Sequence, residues 1–420
     1  MTDIVTVWDS GEQHQLLRDR CHFTDRSRIN LGQTCPAKRW IQYHAGPEGR
    51  GLVPAREGED LVLGRAVHAG MEILLAGPSE GEPLESVIET AAEVAASQFR
   101  FESEAGLEMQ DSQELWDILP EVAQTLRVEQ SWLAYSLVWA WGKRKLAKLL
   151  EEYEVLAIEP EINWPLGQLD NGKTVVMMSR PDAVLRRIVD DTLWTVSWKT
   201  AKRFDQTTLA KLECDTQTLT EGLAVQYWTG KPCRGTYYGY LVKGDKQADE
   251  ELGAKRYASS LIRPYHRDAA QFGGNLTDFR AAYKWFDGTA NRTLGKGWSR
   301  VNIWDWIEPL AWLEALEAGE VQPEAGRDWL GESVVEPMPQ RFDPVSARRW
   351  AHDAWNAEGW WADVTKFDRH ARHHQSCHNY SKQCTAFGVC WRGESIEDRL
   401  LSGRWKVREA NHGDEFGGEE

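Results

Sequence analysis

Pro181-Asp182 closes a short apolar segment, and fifteen residues further on stands Ser197-Trp198-Lys199-Thr200. Strand alternation puts positions 197 and 199 on one face. A carboxylate at the first of these, with Asp182 beside it, would bind a hard divalent cation such as Mg²⁺ or Mn²⁺ through oxygen. The lysine would position water and offset charge developing on a phosphate. A second constellation is made of sulfur. Cys377, Cys384 and Cys390 are clustered, and Cys35 opens Cys35-Pro36-Ala37-Lys38-Arg39-Trp40 far upstream. Four thiolates suit a [4Fe–4S] cluster or a tetrahedral zinc. His374 and His378 flank the cluster and are candidates to replace a ligand. A site joining positions so far apart would staple the chain ends together, because the loop-closure entropy is large.

The elements that would carry these residues follow from periodicity. Residues 30–76 read as helical, and Glu85–Phe99 and Glu114–Leu150 carry apolar residues at helical spacing, the latter interrupted near Pro120. The texture then changes. Val155–Trp164, Thr174–Met178, a segment through Asp182–Arg187, and Leu193–Trp198 read as strands separated by turns. A helix is expected through about Leu209–Trp228, with further strands at Gly235–Val242 and Tyr257–Ile262. Hairpins first and a crossover helix later indicate an α/β chain with a mixed central sheet flanked by helices. The expected organisation is an N-terminal helical part (30–76), a helical insertion (77–150), a core (151–265), a helical C-terminal region holding the cysteine cluster (266–395) and an acidic tail (396–420).

Composition limits the alternatives. The chain has 420 residues, 41% hydrophobic, with no internal repeat and no apolar run long enough to span a membrane. Its N-terminus lacks the apolar core of a signal peptide, so a cytoplasmic protein with reduced thiols is expected. A net charge of −16 excludes a broadly nucleic-acid-coating protein. It leaves room for a local basic channel built from stretches such as Lys143-Arg144-Lys145 or Arg369-His370-Ala371-Arg372. The 22 tryptophans are read as core packing.

Taken in order, these residues resemble the PD-(D/E)XK nuclease superfamily, which has an Asp on one strand and D/E-x-K on the next. The RecB-like branch adds an upstream helical His and a downstream helical Gln. Gly64-Arg65-Ala66-Val67-His68 is similar to the His motif, and Gln217 to the Gln motif; Glu221 stands where that motif usually has an aromatic residue. One cysteine before the core and three after it is similar to the iron–sulfur layout of Cas4 and AddB-type nucleases. The resemblance implies a restriction-endonuclease-like core and a C-terminal iron–sulfur region. It also implies divalent-metal-dependent hydrolysis of DNA phosphodiesters at ends or on single strands, in a bacterial or phage-infected cell. Protein partners in a recombination, replication or CRISPR-type complex are implied in the same way. His68 and Gln217 would then shape the site.

Ser197 departs from that pattern, since serine cannot carry the charge that holds a cation. Three arrangements remain open. The protein binds DNA without cleaving it, as a non-catalytic or assembly subunit. Glu161, on the preceding strand, supplies the second carboxylate. Or the carboxylate has migrated to the following helix, as in related Ser-x-Lys restriction endonucleases; Glu213, separated from Lys199 by thirteen residues and four before Gln217, is then the candidate.

Overall fold

The computed structural model describes residues 20–55, 58–101, 121–213, 215–243, 246–249, 254–257, 334–335, 339–366, 370–373, 377–379 and 382–409. The acidic tail beyond 409, His374, Arg369 and the whole of the 258–333 stretch lie outside the described residues. So does the greater part of the strand expected over Tyr257–Ile262.

The chain opens with β1 (Cys21–Thr24), then α1 (Arg26–Thr34) and α2 (Pro36–Tyr43), and β2 (Leu52–Pro54). Asp25 caps α1 by accepting from the Arg28 amide at 2.8 Å, and Pro36 starts α2, where its missing N–H costs nothing. Three longer helices follow: α3 (Glu59–Ala76), α4 (Leu84–Phe101) and α5 (Glu121–Trp141). The last of these runs through a π-helical turn, Gly142–Leu146, into α6 (Ala147–Glu152). The strands are β3 (Tyr153–Ile158), β4 (Ile162–Gln168), β5 (Thr174–Ser179), β6 (Ala183–Arg187) and β7 (Leu193–Ala201). Helices α7 (Gln206–Glu213) and α8 (Thr216–Thr229) then lead to β8 (Cys233–Val242) and the hairpin β9 (Lys246–Asp249) and β10 (Ala254–Tyr257). The C-terminal part has β11 (Val334–Val335), β12 (Gln340–Arg341), α9 (Pro344–Lys366), β13 (His378–Asn379), β14 (Lys382–Gln383), α10 (Phe387–Arg392), α11 (Ile396–Leu401) and β15 (Trp405–Val407).

The central six-stranded sheet has the order β11-β8-β7-β6-β3, with β12 also paired to β8. The β3–β6–β7 pairs are antiparallel, and β7–β8 is parallel across the α7–α8 crossover, so the sheet is mixed as expected. Alternation sorts its side chains into two layers. Ala183, Leu185, Trp194, Val196 and Trp198 pack against α3, α4 and α5. Val184 and Leu193 face the other way, among residues of α1, α8 and α9 and of a three-stranded sheet, β1-β5-β4. The tryptophans at the centre are packing residues: Trp141 meets Trp198 edge-on at 4.8 Å, and both are buried. Gly239 lies under Trp198, where a Cβ would come within 2.3 Å of the indole.

Three expectations are corrected. The strand read through Val155–Trp164 is two strands in different sheets, broken at Glu159-Pro160-Glu161, where Glu159 has a φ of +44°. Residues 30–76 are not wholly helical, because β2 pairs with β15 from the C-terminal end. The helix expected through Leu209–Trp228 is two helices: Asp215 caps α8 afresh by accepting from the Gln217 amide at 2.9 Å. No described helix is long and apolar enough to cross a membrane.

An early and a late segment of the chain are locked together by a buried ion network. Glu358 on α9 has no solvent exposure. Arg39 of α2 forks onto both its oxygens at 2.8 and 2.7 Å, Thr24 donates at 2.9 Å, and His22 Nε2 lies 2.7 Å away. Burial alone would raise this carboxyl, but the His22 hydrogen bond and the Arg39 charge outweigh it and hold it at about 2. Removing one partner of such a pair leaves an uncompensated buried charge. Arg39→Ala is therefore expected to lower the urea midpoint by an amount equivalent to ~3–5 kcal/mol. Arg39→Met combined with Glu358→Gln should cost less than Arg39→Ala alone. Equal losses would show that the charge pairing is immaterial.

Candidate active site

Asp182 sits just before β6, one step beyond the Ala183–Val196 pair of β6 and β7, and so beside Ser197. Its Oδ2 accepts from the Trp198 amide at 2.6 Å, which fixes the carboxylate against the strand. Its Oδ1 lies 3.5 Å from His68 Nδ1 on α3. The bend that ends β3 brings Glu159 in as well, and the Glu159 amide donates to the Asp182 carbonyl at 3.1 Å. Among the described residues, His68, Glu159 and Asp182 form the one group of three or more such side chains whose ligand atoms all lie within 4.8 Å of one another, and all three are part-exposed. Two carboxylate oxygens and an imidazole nitrogen are a donor set that fits Mg²⁺ or Mn²⁺.

Lys199 and Ser197 point to the same side of β7, as alternation requires, and Gln217 of α8 touches both. Its amide nitrogen donates to Ser197 Oγ at 2.9 Å and to Glu221 Oε1 at 2.6 Å. Its carbonyl accepts from Lys199 Nζ at 2.7 Å and from Arg26 at 3.1 Å. Arg26 also bonds the Asp215 cap at 2.8 Å, and Tyr238 donates to the other oxygen of that cap at 3.2 Å. Burial, and next the Asp215 charge, push the Tyr238 hydroxyl up, so it stays a donor. The polar face of β7 continues with Thr195, which shares a 2.7 Å hydrogen bond with Thr236.

Two carboxyls of the site are strongly perturbed. Burial, reinforced by the Asp182 charge, pushes Glu221 up to about 8. Burial and the neighbouring Glu159, by charge and by hydrogen bond, push Glu72 up to about 7. Such shifts mark places where chemistry is carried out more often than ordinary surface acids do.

His68, Asp182, Lys199 and Gln217 are thus brought together. Glu161 is exposed in the β3–β4 connection, and the acid that reaches the group is Glu159, two residues earlier. Glu213 ends α7; the fresh cap at Asp215 breaks the shared helix face on which its pairing with Gln217 was premised, and its side chain lies outside the described residues. Sequence reading missed Glu72, Glu159, Glu221 and Arg26. Helical spacing offered a signal for two of them, since Glu72 is four residues after His68 and Glu221 four after Gln217. Lys143, a candidate for a basic channel, is already paired with Glu85 and stacked over Trp139.

The thiols converge around the junction of α1 and α2. Cys35 lies between α1 and α2, where the Ala37 amide donates to the Ala371 carbonyl at 3.2 Å. The Cys384 amide donates to the Cys377 carbonyl at 2.7 Å, closing the β13–β14 turn, and Trp391 Nε1 donates to Cys377 Sγ at 3.2 Å. Burial, and then the thiols of Cys35, Cys384 and Cys377, push Cys390 up to about 11. All the described cysteines are free thiols. The side chain of His378 lies outside the described residues.

A pH dependence follows from Glu72 and Glu221. Both hold a proton in the fold over a range where unfolded carboxyls, near ~4.3, have released theirs. The folded state then binds more protons, so stability falls as pH rises from about 5 to about 8. Protein freed of divalent ions by a chelator is expected to show this fall in thermal unfolding. Glu221→Gln should flatten it, and a profile untouched by that change would show that Glu221 ionises as an ordinary carboxylate.

No curated protein matches the chain. A family model, that of the PD-(D/E)XK nuclease superfamily, matches residues 26–300, a span that holds Arg26, His68, Glu159, Asp182, Ser197, Lys199 and Gln217. With the mixed sheet and this arrangement beside its central strands β6 and β7, the chain belongs to the PD-(D/E)XK nuclease superfamily.

Proposed function

We propose that the protein is a divalent-metal-dependent nuclease that hydrolyses DNA phosphodiesters at ends or on single strands. The observation that carries this reading is the grouping of His68, Glu159 and Asp182 beside a lysine held by Gln217. Asp182, Glu159 and His68 would hold Mg²⁺ or Mn²⁺, which when bound supplies charge for a phosphate oxygen and makes water a better nucleophile. Asp182 is kept in place by the Trp198 amide. Lys199, aimed by the Gln217 carbonyl, is placed to support the attacking water or the non-bridging phosphate oxygens. Water adds to phosphorus, the P–O bond to the leaving sugar oxygen breaks, and that oxygen takes up a proton. Two carboxylates in the group support this reading although Ser197 supplies none.

The second reading is a subunit that binds DNA without cleaving it, and Ser197 is the observation that favours it. Cleavage of labelled single- and double-stranded DNA, with and without Mg²⁺ or Mn²⁺, separates the two. The nuclease reading expects cleavage that needs the metal. It also expects Lys199→Ala to slow turnover by ~10²–10³ while DNA binding survives. Wild-type protein with no metal-dependent cleavage would leave the binding subunit.

For the sulfur site we propose a structural [4Fe–4S] cluster held by Cys35, Cys377, Cys384 and Cys390, with zinc as the alternative. Cys35, Cys384 and Cys377 act electrostatically on Cys390, and the segments that carry the four thiols are tied together by the Ala37–Ala371 contact and the β2–β15 pairing. A cluster there would staple the two ends of the chain, and a cytoplasmic setting that keeps thiols reduced fits it. Anaerobically purified protein is expected to be brown and to contain iron, and Cys384→Ser to lower the folded yield. Stoichiometric zinc without iron would decide for the alternative.

A further inference from the structure

A cavity of about 260 Å³ opens beside the site and is not used by the proposed chemistry. A water takes only ~30 Å³, so the space admits a small group with its solvent. Its walls do not include Asp182, Ser197 or Lys199, which sets it apart from the metal group. It abuts that group all the same. Gln217 borders the cavity and accepts from Lys199, and Arg180, also in the wall, stands two residues before Asp182.

The charges of the wall decide what kind of ligand fits. Arg26 and Arg180 both border the cavity, and two guanidinium groups repel a cation. Arg26 donates to Asp215 and to Gln217, which leaves N–H groups of its five for a ligand. Arg180 Nε lies 3.7 Å from Glu159 Oε2, beyond hydrogen-bond reach. Neither acid of the wall cancels this charge. Asp25 is taken up by Arg28, whose amide donates to it at 2.8 Å and whose Nε lies 3.1 Å from it. Glu221 keeps its proton up to about 8, through burial and then the Asp182 charge. It is only 5% exposed, and its Oε2 has no hydrogen-bond partner. A protonated carboxyl is a donor, so an anion in the cavity would give it the partner it lacks. Helix α1 begins here as well, with Arg26 and Ser27 in the wall, and a helix start favours negative charge. Ser27 and Ser179 add hydroxyls to the lining.

We propose that this cavity is an anion pocket in which Arg26 and Arg180, with the Ser27 and Ser179 hydroxyls, hold a phosphate group of the nucleic-acid strand next to the one under attack. The phosphate is a terminal monoester or an internal diester, since both present unesterified oxygens to an arginine fork. The inference rests on the nucleic-acid-binding reading of the site.

The test is binding of short labelled DNA single strands to the full chain in EDTA, where nothing is cleaved. One strand carries a 5′-phosphate, one a 3′-phosphate, and one hydroxyls at both ends. Arg180→Gln is expected to weaken binding by about 10–100-fold, the worth of a hydrogen bond to a charged group. It should also lower the slope of log affinity against log salt by about one, which a merely structural change would not do. Ser27→Asp is the second variant. An acid in the first turn favours the helix, so α1 is kept, while a negative charge enters the pocket. It should weaken the same strands. An internal diester is the ligand if all three strands lose alike; a terminal monoester is the ligand if one phosphorylated strand binds best and only its advantage is lost. Variants that both bind every strand as wild type does, with the salt slope unchanged, would overturn the pocket even if DNA is cleaved. Weakened binding in both, in a protein that cleaves no DNA with Mg²⁺ or Mn²⁺, would overturn the nuclease reading and leave the pocket standing. Wild type that binds no strand would remove both.

Discussion

A carboxylate with no access to water, Glu358, holds an early and a late segment of this chain together. It is kept ionised by the Arg39 fork and by the hydrogen bonds of Thr24 and His22, so it ties a late helix to the first strand and the second helix. The network does more than close the chain. Arg39 also stacks over Trp361 at 4.2 Å, and His44, pushed down to about 3 by burial and by the Arg39 and Arg28 charges, stays neutral beside the same indole. A buried pair of this kind adds little net stability but strongly penalises any arrangement that separates its members. It therefore acts on specificity: α9 can dock against α8 and the outer sheet in one way.

The second organising feature is the division of β7. Trp194, Val196 and Trp198 enter the helical layer, while Thr195, Ser197 and Lys199 enter the layer of α8. A buried strand face made of hydroxyls and an amine cannot rest against an apolar helix without leaving polar groups unpaired. Helix α8 answers with Gln217, Thr218 and Glu221, and the site arises where this polar seam meets the β6 end that carries Asp182. Gln217 has the most demanding part, because its amide group satisfies a hydroxyl, a carboxylate, an ammonium and a guanidinium at once. Glu221 is perturbed on this seam because it is shielded from water next to the Asp182 charge.

Much of this was legible from residue types and spacing. The mixed sheet, the order His68, Asp182, Lys199 and Gln217, and the pairing of 197 with 199 on one face follow from alternation and from a few residues whose chemistry is hard to replace. Helical spacing also contained Glu72 and Glu221, four residues beyond His68 and Gln217. Their significance depends on which helix face meets the sheet, and a tetrad of positions does not say that.

Local chemistry by itself determined the strand periods, the turn residues, the helix caps and the presence of one acid, one lysine and four thiols in a family-like order. Tertiary structure alone decided which carboxylates join them. Glu159 enters the site and Glu161 stays outside because the chain bends at Glu159-Pro160 between two different sheets, and no local pattern records a change of sheet. The premise for placing Glu213 beside Gln217 fails because Asp215 starts a new helix, so a spacing that would align them on one helix crosses a break. Glu221 comes to lie beside Ser197 through the parallel β7–β8 pairing, which packs α8 over the strand. Such neighbours are set by register and by long-range docking, whose energies depend on residues hundreds of positions apart and not on the interval between any two.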